Sequence, residues 1–350
     1  MTKSLRCGLS TLNNDQSAER GARMARRDGR EYREHLREEQ RSQAGCPARE
    51  LVLDRRGPAT SPGVAWSLTV TLALAISAFG SIATAAAPQR IISIIPSVTE
   101  MIFAMGAGAR VVGVTSFDRH PPEVSRIARV GALLDPDVER ILSLKPDLVV
   151  VYNTQTELKQ RLDRAGIPYY SYEHRALADI ITTIRAVGTR IGAGPRGEQL
   201  AADVERGIDA VRTSVARLAR PSTLLVFDRN PSSLSDIYAS GGFGFMHDML
   251  EAAGGADVFG DIKQQSVQVS TELILARRPD VIIELRYGEG DAKRTSEIAR
   301  QMRAWSALGS VPAVRNGRVH ALVGDEFVTP GPRVVEAIRA LARTIHPELR

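Results

Sequence analysis

A chain of 350 residues, 43% hydrophobic and 25% charged, is ordinary for a globular protein and long enough for two compact domains. Its formal charge of +6 is unevenly placed: residues 1–62 hold 13 Lys/Arg against 9 Asp/Glu, and the rest hold 33 against 31. Beyond residue 62 there is no basic stripe of the kind that holds phosphates, which excludes nucleic acid as a partner.

Residues 1–62 are rich in Arg and Glu and poor in large apolar side chains, so they read as a disordered tail. From Gly57 to Gln89 no side chain is charged. Within that stretch "VAWSLTVTLALAISAFGSI" follows Arg55 and Arg56 and precedes Ala83-Thr84-Ala85, the three regions of a secretory signal in order. Residues 63–85 are therefore expected to be a signal peptide, with a mature chain starting near Ala86 and exported to the periplasm. Left uncleaved, the same run is long enough to serve as a membrane anchor. The tail is far longer than a signal's n-region, so translation is expected to start further downstream. Both cysteines, Cys7 and Cys46, fall in the tail, leaving the mature region without disulfides, thiolate nucleophiles or thiolate metal ligands.

After Ala86, short β-branched runs alternate with helical patterns. "RIISII" (Arg90–Ile95), "RVVGVT" (Arg110–Thr115), "DLVVVY" (Asp147–Tyr152) and "IPYYSY" (Ile167–Tyr172) read as strands, with helices at "VTEMIFAM" and near Glu157–Arg164. Two helical stretches then follow without a strand between them, Leu177–Ile191 and Gly197–Ala219; the second reaches about 30 Å. Strands resume at "STLLVFD" (Ser222–Asp228), "PDVIIEL" (Pro279–Leu285) and "GRVHALV" (Gly317–Val323), and the chain ends in a helix over Pro332–His346. Continuously apolar strands separated by helices argue for parallel sheets covered on both faces. The expected fold is α/β: two doubly wound parallel-sheet lobes, residues 86–176 and 220–350, joined through a helical connector at 177–219 by one long rigid helix, with a ligand cleft between the lobes.

One phrase occurs twice, 133 residues apart: "VERILSLKPD" (Val138–Asp147) and "TELILARRPD" (Thr271–Asp280). Glu139/Glu272, Ile141/Ile274, Leu142/Leu275, Pro146/Pro279 and Asp147/Asp280 coincide, and the preceding Asp137 and Ser270 are both good N-caps. A weaker echo links "MIFAMGAG" (Met101–Gly108) to "MLEAAGGA" (Met249–Ala256). The two lobes are thus expected to share one plan. Acidic residues suit the first turn of any helix. A glutamate at the same point of both lobes also fits a pair of surface carboxylates meeting a two-fold partner.

Catalytic signals are sparse. No two of the six histidines stand at metal-ligand spacing, and no P-loop or G-x-S-x-G elbow is present. "GAGPRG" (Gly192–Gly197) matches G-x-G-x-x-G literally but follows a helix and contains Pro195, so it reads as a helix–helix turn. The best enzymatic pairing is His120 with Asp118, as in an exported chelatase-like protein; a sensor docking on a membrane receptor is a third class.

From Arg90 onward the chain resembles the periplasmic binding proteins that serve cobalamin and iron-chelate ABC importers, with the cobalamin-binding branch nearest. The resemblance is carried by "AAPQRIISIIPSVTEMIFAMG", "VVGVTSFDRHPPE", "DVERILSLKPDLVV", "VSTELILARRPDVII" and the ending "NGRVHAL…PGPRVVEAIRALA". It implies a monomeric binding protein without catalysis or a cofactor or metal of its own, passing its ligand to a permease and ATPase complex in the inner membrane. It implies that Glu139 and Glu272 meet arginines of the permease. It also implies a ligand held between the lobes, by Ser97, Thr99, Phe117, Asp118, Arg119 and Tyr152 on one side and Asn230, Tyr238, Gly242, Phe243 and Phe327 on the other. Large aromatics suit the face of a corrin or haem. Tyr152 and a residue near Ser266 stand where the cobalamin-binding relatives place tryptophans, which keeps ferric siderophore and haem open beside a corrinoid.

Overall fold

The structure is a computed structural model that describes residues 86–288 and 292–349. The tail, the signal, Cys7 and Cys46 lie outside the described residues. In chain order the first lobe comprises β1 (Ile91–Ser93), α1 (Pro96–Ala104), β2 (Val111–Val114), β3 (Ala128–Arg129), α2 (Val138–Ser143), β4 (Leu148–Tyr152), α3 (Thr156–Arg164) and β5 (Tyr169–Tyr172). Its five strands are parallel in the order β3-β2-β1-β4-β5. β1 and β4 are buried along their whole length, as central strands covered on both faces must be. The order reverses between β1 and β4, and the crevice beyond their carboxyl ends is where open α/β sheets hold ligands.

Two helices follow, α4 (Leu177–Arg190) and α5 (Gly194–Val215). α5 buries Gly197, Ala201, Val204, Ile208, Val211 and Val215, a three-four alternation that draws one apolar stripe down its length. It begins three residues before the expected Gly197, because Pro195 is tolerated in a first turn, and ends before the predicted Ala219. The two helices cross at Gly188 and Gly197, where a Cβ on Gly188 would lie 2.9 Å from the Gly197 Cα. The "GAGPRG" run is therefore a helix–helix turn whose last glycine permits close approach.

The second lobe holds β6 (Ser222–Asp228), β7 (Ile237–Ser240), α6 (Phe245–Ala252), β8 (Ala256–Asp257), β9 (Ser266–Val269), α7 (Thr271–Arg277), β10 (Val281–Arg286), α8 (Ala292–Met302), α9 (Pro312–Arg315), β11 (Val319–Val323) and α10 (Val334–Ile345). Its sheet runs β11-β10-β6-β7-β9, with β8 beside the start of β6. β6, β10 and β11 are parallel, but β7 and β9 are antiparallel to their neighbours, so this lobe is mixed and not purely parallel as expected. Both added strands have four residues, and "SVQV" buries only its two valines, as a half-covered edge strand does.

The repeated phrase has a structural basis at each of its positions. Asp137 caps α2 by accepting from the Arg140 N–H at 2.8 Å, and Ser270 caps α7 by accepting from the Leu273 N–H at 3.3 Å. Ile141 and Ile274 are fully buried. Lys145 and Arg278, also 133 residues apart, both adopt left-handed backbone (φ 48° and 53°), which turns the chain out of its helix. The aspartates then clamp a neighbouring strand. Asp147 accepts from the N–H groups of Gln89 and Arg90 (2.7 and 2.8 Å) at the start of β1, and Asp280 accepts from Ser222 N–H (3.2 Å) at the start of β6. The weaker echo holds too: Gly106 and Gly254 end α1 and α6 with φ of 74° and 82°. In each case the next residue donates back into the helix, Ala107 to Ile102 and Gly255 to Leu250, both at 3.0 Å.

One apolar core runs from the first sheet through α4, α5 and α10 into the second lobe, and a smaller one around Phe259 and Trp305 backs the second sheet. No helix among the described residues is long and apolar enough to cross a membrane.

Candidate functional site

The carboxyl ends of the first lobe's strands bring two of the expected residues, Ser97 and Tyr152, to the switch point. Ser97, at the start of α1, donates from its hydroxyl to the Tyr172 Oη at 3.3 Å. Tyr152 closes β4 and meets Tyr172 edge-on, with ring centroids 5.8 Å apart. The row continues through His174 (5.6 Å from Tyr172) to Phe245 of α6 (6.4 Å from His174), so it leads from one lobe to the other. His174 Nδ1 is buried without a partner, and burial pushes the imidazole down to about 4, keeping it neutral at physiological pH.

The loop after β2 supplies a second group. Asp118 is 2% exposed; its Oδ2 accepts from the Thr115 N–H and hydroxyl (2.8 and 2.6 Å), while Oδ1 is buried without a partner. Desolvation raises this carboxyl to about 6 against the hydrogen bonds from Thr115. The neighbouring Phe117 and Arg119 reach the other lobe. The Tyr287 hydroxyl donates to the Phe117 carbonyl at 3.4 Å, and the Arg119 guanidinium lies 5.1 Å from the centre of the Tyr287 ring. Burial pushes the Tyr287 phenol up to about 12. Phe117, Arg119, His120, Glu100, Tyr287 and Asp325 line a narrow cleft between the lobes.

A polar clamp stands beside that cleft. Arg333, just before α10, holds Glu100 of α1 with a two-pronged ion pair (Nε–Oε2 3.0 Å, Nη2–Oε1 2.6 Å) and reaches Glu326 at 3.1 Å. Burial raises the Glu100 carboxyl above its ordinary range, opposed by Arg333.

The remaining candidates are placed differently. Thr99 is fully buried, with its hydroxyl donating to the Ile95 carbonyl at 3.2 Å and lying beside the Asp118 carboxyl, so it supports the cleft from behind. Phe327 is 3% exposed and belongs to the main core. A Cβ on Gly242 would lie 2.1 Å from the Gly260 carbonyl oxygen, so this glycine serves loop packing. Asn230 is exposed and shapes its own loop, accepting from Ser232 N–H at 2.9 Å. Tyr238 is half-buried beside Phe227, and Phe243 is 43% exposed.

Behind the Asn230 loop is a buried charge cluster. Arg229 pairs with Glu284 at 2.5 Å and donates to the carbonyls of Asn230 (2.8 Å), Ser233 (3.1 Å) and Gln301 (2.9 Å). Glu284 also accepts from Trp305 and Arg286. Trp305 thus braces the scaffold away from the cleft.

Sequence reasoning missed Glu100, Tyr172, His174, Phe245, Tyr287 and Arg333. Tyr287 was the most accessible of these, since it follows the end of β10 as Tyr152 ends β4. No nucleophile–base pair is assembled around Asp118, whose bonded oxygen is committed to Thr115, while His120 is exposed. Among the described residues no three His, Cys, Asp or Glu side chains gather as a metal-holding group. The arrangement sets aromatic, cationic and carboxylate side chains of both lobes around one cleft, with the buried aromatic row behind it.

Glu139 and Glu272 lie elsewhere, both exposed on the first turns of α2 and α7. Glu272 is held below its ordinary range by its own backbone N–H and by the Ser270 hydroxyl. Glu139 also borders a groove with Leu134, Asp135, Asp137, Glu157 and Arg161.

Known proteins share this architecture. The vitamin B12-binding protein of Salmonella typhimurium is 30% identical over 262 residues, covering 74% of this chain and 91% of that protein. An ABC transporter substrate-binding lipoprotein of Bacillus subtilis is 28% identical over 267 residues, covering 75% and 81%. Among solved structures, the apo periplasmic heme-binding protein from Roseiflexus sp. RS-1 matches with a TM-score of 0.62 at 27% identity, covering 75% of this chain and 99% of that one. Residues 91–325 match the periplasmic binding protein family, and with two α/β lobes, a long connecting helix and a cleft at the strand ends, the chain belongs to it.

Proposed function

We propose that this protein is the exported substrate-binding component of an ABC importer, capturing a cobalamin-type corrinoid or a related metal chelate between its lobes. The observation that carries this reading is the cleft between the lobes, where Phe117 and Arg119 of the first lobe face Tyr287 of the second. Rigid rings offer a flat macrocycle contact area with little rotamer freedom to lose. Ser97, Phe117, Asp118, Arg119 and Tyr152 are the first-lobe contacts in this reading, with Tyr238, Phe243 and Asn230 at the opposite rim. Residues 86–176 and 220–350 act as the two jaws, and 177–219 as the strut between them.

Haem or a ferric siderophore is the second reading. It is favoured by the make-up of the cleft lining, which holds Phe117 and Tyr287 but no tryptophan. Docking to a permease and ATPase complex of the inner membrane is assigned to Glu139 and Glu272, one from each lobe.

The test is a titration of the purified protein with cobalamin, haem and ferric siderophores, read by tryptophan or ligand absorbance. Saturable binding of one of them at one ligand per chain is expected. Binding of none overturns the reading.

A further inference from the structure

The helices that carry Glu139 and Glu272 share a second surface feature. Among the described residues four large hydrophobic side chains are exposed: Leu134, Leu142, Phe243 and Leu275. Leu142 and Leu275 occupy the same position of the repeat, three residues after the glutamates, and are exposed to nearly the same degree (37% and 39%). A spacing of three puts leucine and glutamate on one side of a helix. The scaffold accounts for Ile141 and Ile274, which fill the core, but not for a leucine turned to solvent beside each of them. Leu134, 47% exposed, stands on the groove that Glu139 borders. Exposed apolar residues scattered singly carry no message. The same leucine beside the same glutamate, once per lobe, is a repeated surface and not scatter.

We propose that Leu142 and Leu275 are paired apolar anchors with which the protein seats on its permease, each entering an apolar pocket of one half of a two-fold partner beside the cation that meets the glutamate. The inference rests on the importer reading above and deepens it. The occupant follows from charge and repetition. Two like patches on one chain fit a partner with two like halves. A second copy of this chain would set glutamate against glutamate. An anionic lipid surface would be repelled by Asp135, Asp137 and Glu139 around Leu134, where Arg161 is already paired with Glu157 at 2.9 Å.

The two residue types have different tasks. Exposed carboxylates act at a distance, steer the encounter and fix register, and are screened by salt. A leucine closed into a pocket acts only on contact, and so governs how long the complex lasts.

The test uses the full chain and its own organism's permease and ATPase complex in lipid nanodiscs, with association and dissociation followed separately over a range of salt. Leu142→Ser and Leu275→Ser are each expected to dissociate about tenfold faster while keeping the association rate and its salt dependence. Leu142→Met and Leu275→Met retain bulk and should dissociate as the unaltered protein does. Glu139→Gln and Glu272→Gln are expected to associate more slowly with a flatter salt dependence. Ligand affinity stays unchanged throughout, and the serine variants melt only slightly lower, since each leucine is partly covered by its own lobe. Serine variants that dissociate at the unaltered rate, while the glutamine variants associate poorly, overturn the anchors and leave the importer reading standing. An unaltered protein that binds no such complex overturns both, and self-association lost in the serine variants reassigns the surface to a second copy.

Discussion

Asp118 shows how one buried carboxyl shapes the cleft. It keeps two hydrogen bonds from Thr115, yet its other oxygen has none, and burial wins: the carboxyl is raised from 3.8 to about 6. A carboxyl with a raised folded value binds its proton more tightly in the native chain than in the unfolded one. Its contribution is therefore fully present below pH 3.8 and is lost as pH rises to about 6, amounting to about 3 kcal/mol. Urea unfolding of the unaltered protein and Asp118→Asn at pH 4, 5, 6 and 7 isolates this term from other acids. The difference between the two should change across that window and level off above it. Parallel pH dependences would remove Asp118 from the account. A second residue-scale strain sits at Arg278, left-handed and exposed, where a Cβ is disfavoured. Arg278→Gly should stabilise the protein by about 0.5–1 kcal/mol in the same assay, whereas Arg278→Ala should not.

At the scale of elements, the Pro-Asp pair that closes each repeat has a use beyond ending a helix. Asp147 and Asp280 tie β4 to β1 and β10 to β6 through the first strand's N–H groups. Both carboxylates are exposed, so replacing either by Ala should cost about 1 kcal/mol in denaturant unfolding. The double variant should be additive, because the two clamps sit in different sheets. The repeat, its caps and its buried isoleucines were legible because capping and burial are local demands written at fixed spacing. β7 and β9 were not, since four residues give too short a pattern to separate from loop. The cleft was half legible for a related reason. Residues that follow a strand, such as Tyr152, announce their place. Thr99 and Phe327 share that neighbourhood in sequence but turn inward, and Glu100 and Arg333 are 233 positions apart, so nothing local joins them.

For the molecule as a whole, that long-range pair ties the first lobe to the segment leading into α10. α5 is one continuous helix of 22 residues, and α10 packs along it and on α6. Strands crossing between lobes could hinge; a packed helix pair resists bending. Arg333 adds a fork onto Glu100 from the segment that leads into α10, so the first lobe is tied to the chain's end as well as to α5. The pair is largely buried, with side chains 18% and 6% exposed, and removing one partner strands the other charge in a site that has already raised its pKa. Arg333→Met should therefore lower stability by about 2–4 kcal/mol, somewhat less than for a fully buried pair because Arg333 keeps some solvent. Glu100→Gln with Arg333→Met, which leaves no bare charge, should recover part of that loss. Hydrogen exchange gives the mechanical reading: α1 and the turn before α10 should open more readily in Arg333→Met, while amides in β4 and β10 keep their protection. If exchange instead rises evenly through both sheets, the fork is ordinary ballast for the fold, and lobe rigidity rests on α5 and α10 alone.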